Sequence, residues 1–293
     1  MTCAPITSLA TDARGMKALC AFWDEMADFS AGEMDAALRH LMEWFACEVG
    51  ADNVIWLGAI RVLRGPEVKA DPFSGWRLRV RRTLVPDSEA YQKVIAAYYS
   101  NEHYGKLTSS YYQPHEIERS KVHGGITGHV MMARAGKFRI YLLRDGWIDF
   151  AKFQKSEHYQ LYYLDQDVTD RMWIGFPLNA DTESIFLVDQ VKLGRRSRQF
   201  TQREAILAAL AVRGLREFHR RTLLYHGLLQ GEKPLSALER QILQGLLTSR
   251  TEKEIAEATG QKLSTMHKYV TSIYTQFRVQ GRAALMALWL GSK

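Results

Sequence analysis

A chain of 293 residues is long for one domain and comfortable for two, each large enough to bury its own core. Its 46% hydrophobic, 11% aromatic and 24% charged residues are those of a globular protein, which excludes a disordered or fibrous one. The net charge of +7 is uneven, since Pro234 to Lys293 holds eight Lys/Arg against four acids while the remaining 31 basic and 28 acidic residues leave only +3. A basic excess at the C-terminal end suits a polyanionic partner. The three cysteines, Cys3, Cys20 and Cys47, form no Cys-x-x-Cys pair, which argues against a disulfide framework or zinc ribbon and for a reducing compartment. Met1-Thr-Cys-Ala-Pro lacks the basic start and apolar core of a signal peptide, and the apolar runs at 206–212 and 283–290 are too short to span a bilayer. A soluble cytoplasmic protein is expected.

Residues 16–48 carry apolar positions at helical spacing, from Leu19, Phe22, Trp23 and Met26 to Leu38, Leu41, Met42 and Phe45, with a break at Ser30 to Gly32. A strand is expected at Val54–Val62. Another at Trp76–Val85 alternates Trp76, Leu78, Val80 and Arg82 with Arg77, Arg79 and Arg81, which predicts a half-exposed antiparallel strand with an arginine face. Residues 88–99 read as a helix, and the Gly/His/Tyr-rich stretch 100–135 gives no clear period. Strands follow at Lys137–Leu143, Met172–Leu178 and Ile185–Lys192, and Asp165, Asp167 and Asp170 read as a polar turn. From Thr201 one long helical pattern runs through Ile206, Leu210, Leu215, Phe218 and Leu224, opened by the capping box Thr201-Gln-Arg-Glu204. Gly227 to Pro234 ends it and reads as a linker. This order of elements predicts an α+β sensor domain over residues 1–230, a GAF/PAS-like antiparallel sheet with flanking helices.

The second domain, residues 231–293, reads as all-α. Ser236-Ala-Leu-Glu239 and Thr251-Glu-Lys-Glu254 are capping boxes that open two short helices, and Gly260 allows the turn to a third. In that third helix Met266, Val270, Ile273 and Phe277 are spaced 4, 3 and 4, which puts them on one stripe. The opposite side shows Ser264, His267, Lys268, Thr271 and Thr275. All can hydrogen-bond and none is acidic, which suits the major groove of DNA.

These residues resemble the LuxR-type family of bacterial transcription regulators, in Leu235-Ser-x-x-Glu-Arg-x-Ile-Leu243, Lys253-Glu-Ile-Ala-Glu257, Thr265-Met-x-x-Tyr-Val270 and Ile273-Tyr-x-x-Phe-x-Val279 with Arg282. The resemblance covers Leu235 to Leu290 and implies a four-helix helix-turn-helix. It implies that His267, Lys268 and Thr271 contact base edges. Ser264, Thr265 and Thr275 on the same helix, with Lys262, Lys253 and Arg250 before it, complete the expected DNA-binding set. The fourth helix, Arg282–Leu290, is expected to pair two subunits through Leu285, Leu288 and Trp289, with a larger dimer interface in the sensor domain. Four positions depart from the family pattern: Gln261 and Lys262 stand where an aliphatic residue and a Ser/Thr cap are usual, Tyr269 where many members have His, and Arg278 where Gly is common. A lost cap costs about 1 kcal/mol.

Upstream, His123-Gly-Gly has no Gly-x-Ser-x-Gly elbow to accompany it, so no esterase is expected. His103, His115, His123 and His129 lack Cys or carboxylates at ligand spacing, so no metal site is expected, nor any cofactor. The segment Trp147 to Trp173 is similar to the GAF-like sensor halves that accompany this helix-turn-helix in some regulators. Trp147, Phe153, Tyr159, Tyr163 and Trp173 are therefore the candidate ligand wall. Acyl-homoserine-lactone sensing is echoed only faintly, by Trp56 and Asp71-Pro72. The expected partners are double-stranded DNA, a second copy of the chain, a small ligand at the sensor and, for an activator, RNA polymerase. The alternatives are an interaction module that titrates another regulator without binding DNA, and an enzyme domain fused to a helix-turn-helix.

Overall fold

Five strands form one antiparallel sheet in the order β2-β1-β5-β4-β3: β1 (Asn53–Arg61), β2 (Trp76–Thr83), β3 (Arg139–Leu142), β4 (Val168–Pro177) and β5 (Thr182–Val191). The computed structural model describes residues 13–69, 71, 73–99, 125–192, 198–231 and 233–291; His103, His115 and His123 lie outside them. The chain divides into two compact units. A sheet unit comprises Met1–Phe22 and Leu41–Gly214, and a helical unit comprises Trp23–His40 and Leu215–Lys293. Two N-terminal helices, α1 (Ala13–Asp28) and α2 (Met34–Glu48), contribute residues to both.

In the sheet unit β1 and β5 are buried almost end to end, because both faces of the sheet are covered. On one face Phe45 of α2 meets Phe186 at 5.8 Å, and α7 (Gln202–Gly214) packs through Ala208 and Ala211. The other face carries Ile55, Leu57, Trp173 and Ile185. It packs against α3 (Glu89–Tyr99), α4 (residues 125–133), α5 (Phe150–Phe153) and α6 (Glu157–Tyr162). The architecture is α+β.

Three expectations are corrected. The arginine face of β2 is not solvated: Arg77 is 2% exposed and paired with Asp71 at 2.9 Å, and Arg81 is paired with Asp87. The reason is the 62–75 loop, whose buried Asp71 also accepts from the amides of Phe73 and Gly75 at 3.2 and 2.5 Å. Gly75 sits at φ +84, where a Cβ would lie 2.4 Å from the Leu63 carbonyl oxygen, so this turn requires glycine. Asp170 is not in a polar turn but in β4, buried, accepting from Arg144 at 2.9 Å and from the Phe200 amide at 2.7 Å. The long helix after Thr201 is two helices, α7 and α8 (Arg216–Tyr225), because Leu215 leaves helical geometry at φ −102, ψ 36 beside Gly214, a poor helix former.

The helical unit holds α8, α9 (Ala237–Leu246), α10 (Glu252–Ala258), α11 (Leu263–Phe277) and α12 (Arg282–Leu290). Gly227, at φ +80, ends α8 with its amide donating to Leu224 O and that of Leu228 to Leu223 O, both at 2.8 Å. The stretch that reads as a linker is tied down. Leu228 and Leu235 are buried, and Gln276 of α11 donates to the carbonyls of Gly227 and Lys233 at 3.2 and 2.7 Å. Among the described residues no helix is long and apolar enough to cross a membrane.

Candidate DNA-binding face and sensor cavity

Both capping boxes close. Ser236 Oγ accepts from the Glu239 amide at 3.3 Å while the Ser236 amide donates to Glu239 Oε2 at 2.8 Å. Thr251 and Glu254 repeat the pattern at 3.3 and 2.6 Å, and these hydrogen bonds hold the Glu254 carboxyl below its ordinary pKa. Gly245 lets α9 and α10 touch, since a Cβ there would stand 2.7 Å from Ile255 Cγ1. Arg282, at the start of α12, donates to the carbonyls of Leu246 (2.8 Å), Arg250 (2.6 Å), Gly245 (3.1 Å) and Thr248. One guanidinium thus satisfies the free carbonyls at the end of α9 and fixes the turn that presents Arg250.

On α11 the stripe Met266, Val270, Ile273 and Phe277 is buried to 1% exposure or less. Ser264, His267, Lys268, Thr271 and Thr275 are exposed and Thr265 is half-buried. Lys262 occupies the N-cap without a side-chain cap hydrogen bond, and Lys253 and Arg250 are exposed. The helix itself contains no acid, but Glu252 of α10 reaches His267 Nδ1 at 3.2 Å. Thr271 and Thr275 donate their hydroxyls to carbonyls one turn back, both at 2.9 Å. Arg278 ends the helix in the left-handed conformation at φ 55, the geometry for which glycine is the ordinary choice.

On α12, Leu285 and Trp289 belong to the chain's own core at 2% and 6% exposure, whereas Met286 and Leu290 are exposed. Arg220 of α8 donates to the Leu288 carbonyl at 2.7 Å and to that of Trp289. That caps the end of α12.

The sheet unit holds a partly open cavity of about 110 Å³ beneath its second face. Aromatic side chains from four elements wall it: Trp76 (β2), Tyr91 (α3), Tyr162 (α6) and Trp173 (β4), with Arg81 and Arg171 as charged lining. Tyr91, Tyr162, Ile55 and Arg171 also line an adjoining space of about 200 Å³. Burial pushes the Tyr91 phenol up to about 12, so it remains a donor at neutral pH. Burial opposes the charge on Arg171, but Asp189 outweighs it and raises its pKa. Asp189 accepts from Nε at 2.5 Å and from Nη2 at 2.8 Å. The guanidinium also lies 4.7 Å from the Tyr163 ring centre.

Of the five aromatics expected to form the ligand wall, Trp173 lines this cavity. Trp147 stacks on Tyr141 at 4.4 Å and meets Trp173 edge-on at 5.0 Å. Phe153, Tyr159 and Tyr163 pack on one another at 5.1–5.2 Å as core beneath it. Sequence reading missed Trp76, Tyr91, Tyr162, Arg81 and Arg171. The one available signal was the run of arginines in an otherwise apolar strand pattern. Asp71 does not line the cavity, being taken up by Arg77 and its own loop.

No protein-family model matches the chain, and no curated protein matches it. Among solved structures it is similar to SdiA in complex with octanoyl-rac-glycerol, with 12% identity, a TM-score of 0.42 and 97% of each chain covered. It is also similar to Escherichia coli SdiA, with 11% identity, a TM-score of 0.39, 94% of this chain and 97% of that one covered. At these values the functional reading rests on the residues themselves.

Proposed function

We propose that the chain is a DNA-binding transcription regulator of LuxR type, with a GAF-like sensor domain over residues 1–230 and a helix-turn-helix over 231–293. The observation that carries this reading is α11, a fully buried apolar stripe backed by an exposed face without a single acid on the helix. A helix so divided can lie in a major groove, its N-terminal residues at base edges and the preceding turn on phosphates. Ser264, Thr265, His267, Lys268, Thr271 and Thr275 serve the groove. Arg250, Lys253 and Lys262 serve the backbone. The hydrogen bonds from Gln276 to the Gly227 and Lys233 carbonyls between α8 and α9 support a unit that moves as one body when a ligand shifts the equilibrium.

The sensor cavity is the proposed ligand site. Its lining supports a small, largely apolar molecule whose oxygens accept from Arg81 and Arg171, because the charged groups on the wall are donors already neutralised by Asp87 and Asp189. RNA polymerase is the further partner if the protein activates.

Binding of the full chain to duplex DNA, titrated across salt concentrations, tests the reading. The affinity is expected to fall as a power of salt, as phosphate contacts require. No salt-dependent binding to any duplex would remove it and favour a titrating interaction module. Within that assay Lys268→Ala is expected to weaken operator binding by about 1–3 kcal/mol, since Lys268 stands free of the core on the groove-facing side. Unchanged operator affinity in the folded variant would end its assignment.

The protein is proposed to bind as a dimer. With Leu285 and Trp289 inside the core and Leu288 half-buried, pairing through α12 falls first to the exposed Met286 and Leu290. Met286→Glu with Leu290→Glu should lower the number of copies on a two-half-site operator without lowering the melting temperature. Sedimentation of the DNA complex reads it, and unaltered stoichiometry would exclude α12 from the dimer.

A further inference from the structure

The helical unit includes a segment far from it in sequence, Trp23–His40, the end of α1, a 3-10 turn at Ala31–Glu33 and the start of α2. A hydrogen-bond chain fastens it. Tyr225 Oη donates to Asp35 Oδ2 at 2.7 Å, and Gln244 Nε2 of α9 donates both to Tyr225 Oη at 3.1 Å and to the Gly32 carbonyl at 3.0 Å. Tyr225 is 2% exposed, and its phenol keeps its proton at neutral pH, as burial and then Asp35 push it up to about 12. Met26, Met34, Ala37 and Leu38 of the segment are buried. Ser30 and Glu33 lock the turn, the Ser30 amide donating to Glu33 Oε2 at 2.9 Å.

This segment has the wrong charge for its position. It carries Asp24, Glu25, Asp28, Glu33 and Asp35 against Arg39, and all five acids are exposed. Gly32 and Arg250 line the same open crevice, together with Gln244 and Thr248. Arg250 is a proposed phosphate contact. Glu33 follows Gly32 directly and so stands beside the crevice that Arg250 lines. A negative charge on this turn opposes a phosphate approaching Arg250 wherever the two come within about 10 Å, the screening length at 0.1 M salt.

We propose that Trp23–His40 is an acidic clasp that lowers the affinity of the helical unit for duplex DNA, fastened through Asp35, Tyr225 and Gln244. The inference rests on the DNA-binding reading above. The clasp makes DNA affinity depend on where α1 and α2 are held, and the same two helices contribute residues to the sheet unit.

The test uses the full chain and a fluorescent duplex, with affinity measured at three salt concentrations. Asp24→Asn, Asp28→Asn and Glu33→Gln together remove three charges and leave a Gln able to keep the turn's capping bonds. A charge-matched control neutralises Glu89, Glu157 and Asp165, exposed acids of the sheet unit. The clasp variant is expected to bind about fivefold tighter at low salt, the gain shrinking toward unity as salt rises. The control is expected to gain much less. Tyr225→Phe, which removes the hydrogen bonds of Tyr225 to Asp35 and Gln244 and leaves every charge in place, is expected to tighten binding in the same direction. Equal affinity of clasp variant and parent at low salt overturns the proposal and leaves DNA binding standing. A gain matched by the control, or one independent of salt, overturns it too. Parent-like affinity in Tyr225→Phe overturns the fastening. Absence of binding in every form removes the DNA-binding reading, and the clasp with it.

Discussion

Ile255→Asp is expected to unfold the helical unit and abolish duplex binding. Ile255 is 2% exposed and stands against Gly245, where even a methyl group would come within 2.7 Å of it. At 2% exposure a carboxylate there would lose nearly all of its hydration. The buried side chains of the unit on α9 and α11, Ile242, Leu246 and Met266 among them, are apolar and offer no donor. Burying an unpaired charge in so small a core should cost more than about 4 kcal/mol, a large share of the stability of a whole domain. Ile255→Val keeps the shape and should cost only about 1 kcal/mol, with DNA affinity intact. Thermal unfolding and duplex titration of the two variants decide it. Parent-like melting of the Asp variant would mean that α10 presents another face to the core.

What was legible in the sequence follows from the range of the interactions. The capping boxes at Ser236 and Thr251 are contacts three residues long, and the α11 stripe is a spacing within one helix, so both appear in the string. The sheet cavity is different. Its wall joins Trp76, Tyr91, Tyr162 and Trp173, nearly a hundred positions apart at the extremes, and no local period brings them together. The arginines of β2 read as a solvated face because alternation is a local signal. Their partners, Asp71 and Asp87, lie in flanking loops whose path only the fold sets. The placement of Trp23–His40 in the helical unit rests on hydrogen bonds between residues about 200 positions apart, of the kind Gln244 makes with Gly32. Helix periodicity could say only that the segment is amphipathic. The break at Leu215 escaped for the opposite reason, being a matter of two dihedral angles inside a continuous apolar pattern.

Asp189→Ala is expected to destabilise the sheet unit by about 3–5 kcal/mol, because it leaves Arg171 buried and unpaired. The two side chains are register partners on β5 and β4, Asp189 at 1% exposure and Arg171 at 5%. They meet through two hydrogen bonds, one to each carboxylate oxygen. Removing the carboxylate strands a guanidinium beside Tyr163 and Trp173, whose rings attract the cation but cannot neutralise it. Removing both charges is a different experiment. In Arg171→Met with Asp189→Leu no ion remains to be desolvated, and the double variant should recover most of the lost stability, since the pair itself contributes little against an apolar replacement of similar volume. The consequence for function then separates from that for folding. If Arg171 supplies donors to a ligand in the cavity, the double variant folds and melts near the parent yet no longer responds to that ligand. A thermal-unfolding cycle over parent, singles and double reads the coupling directly. Should Asp189→Ala cost less than about 1 kcal/mol, or the double variant fare no better than the single, the buried pair does not hold the sheet together at the cavity wall.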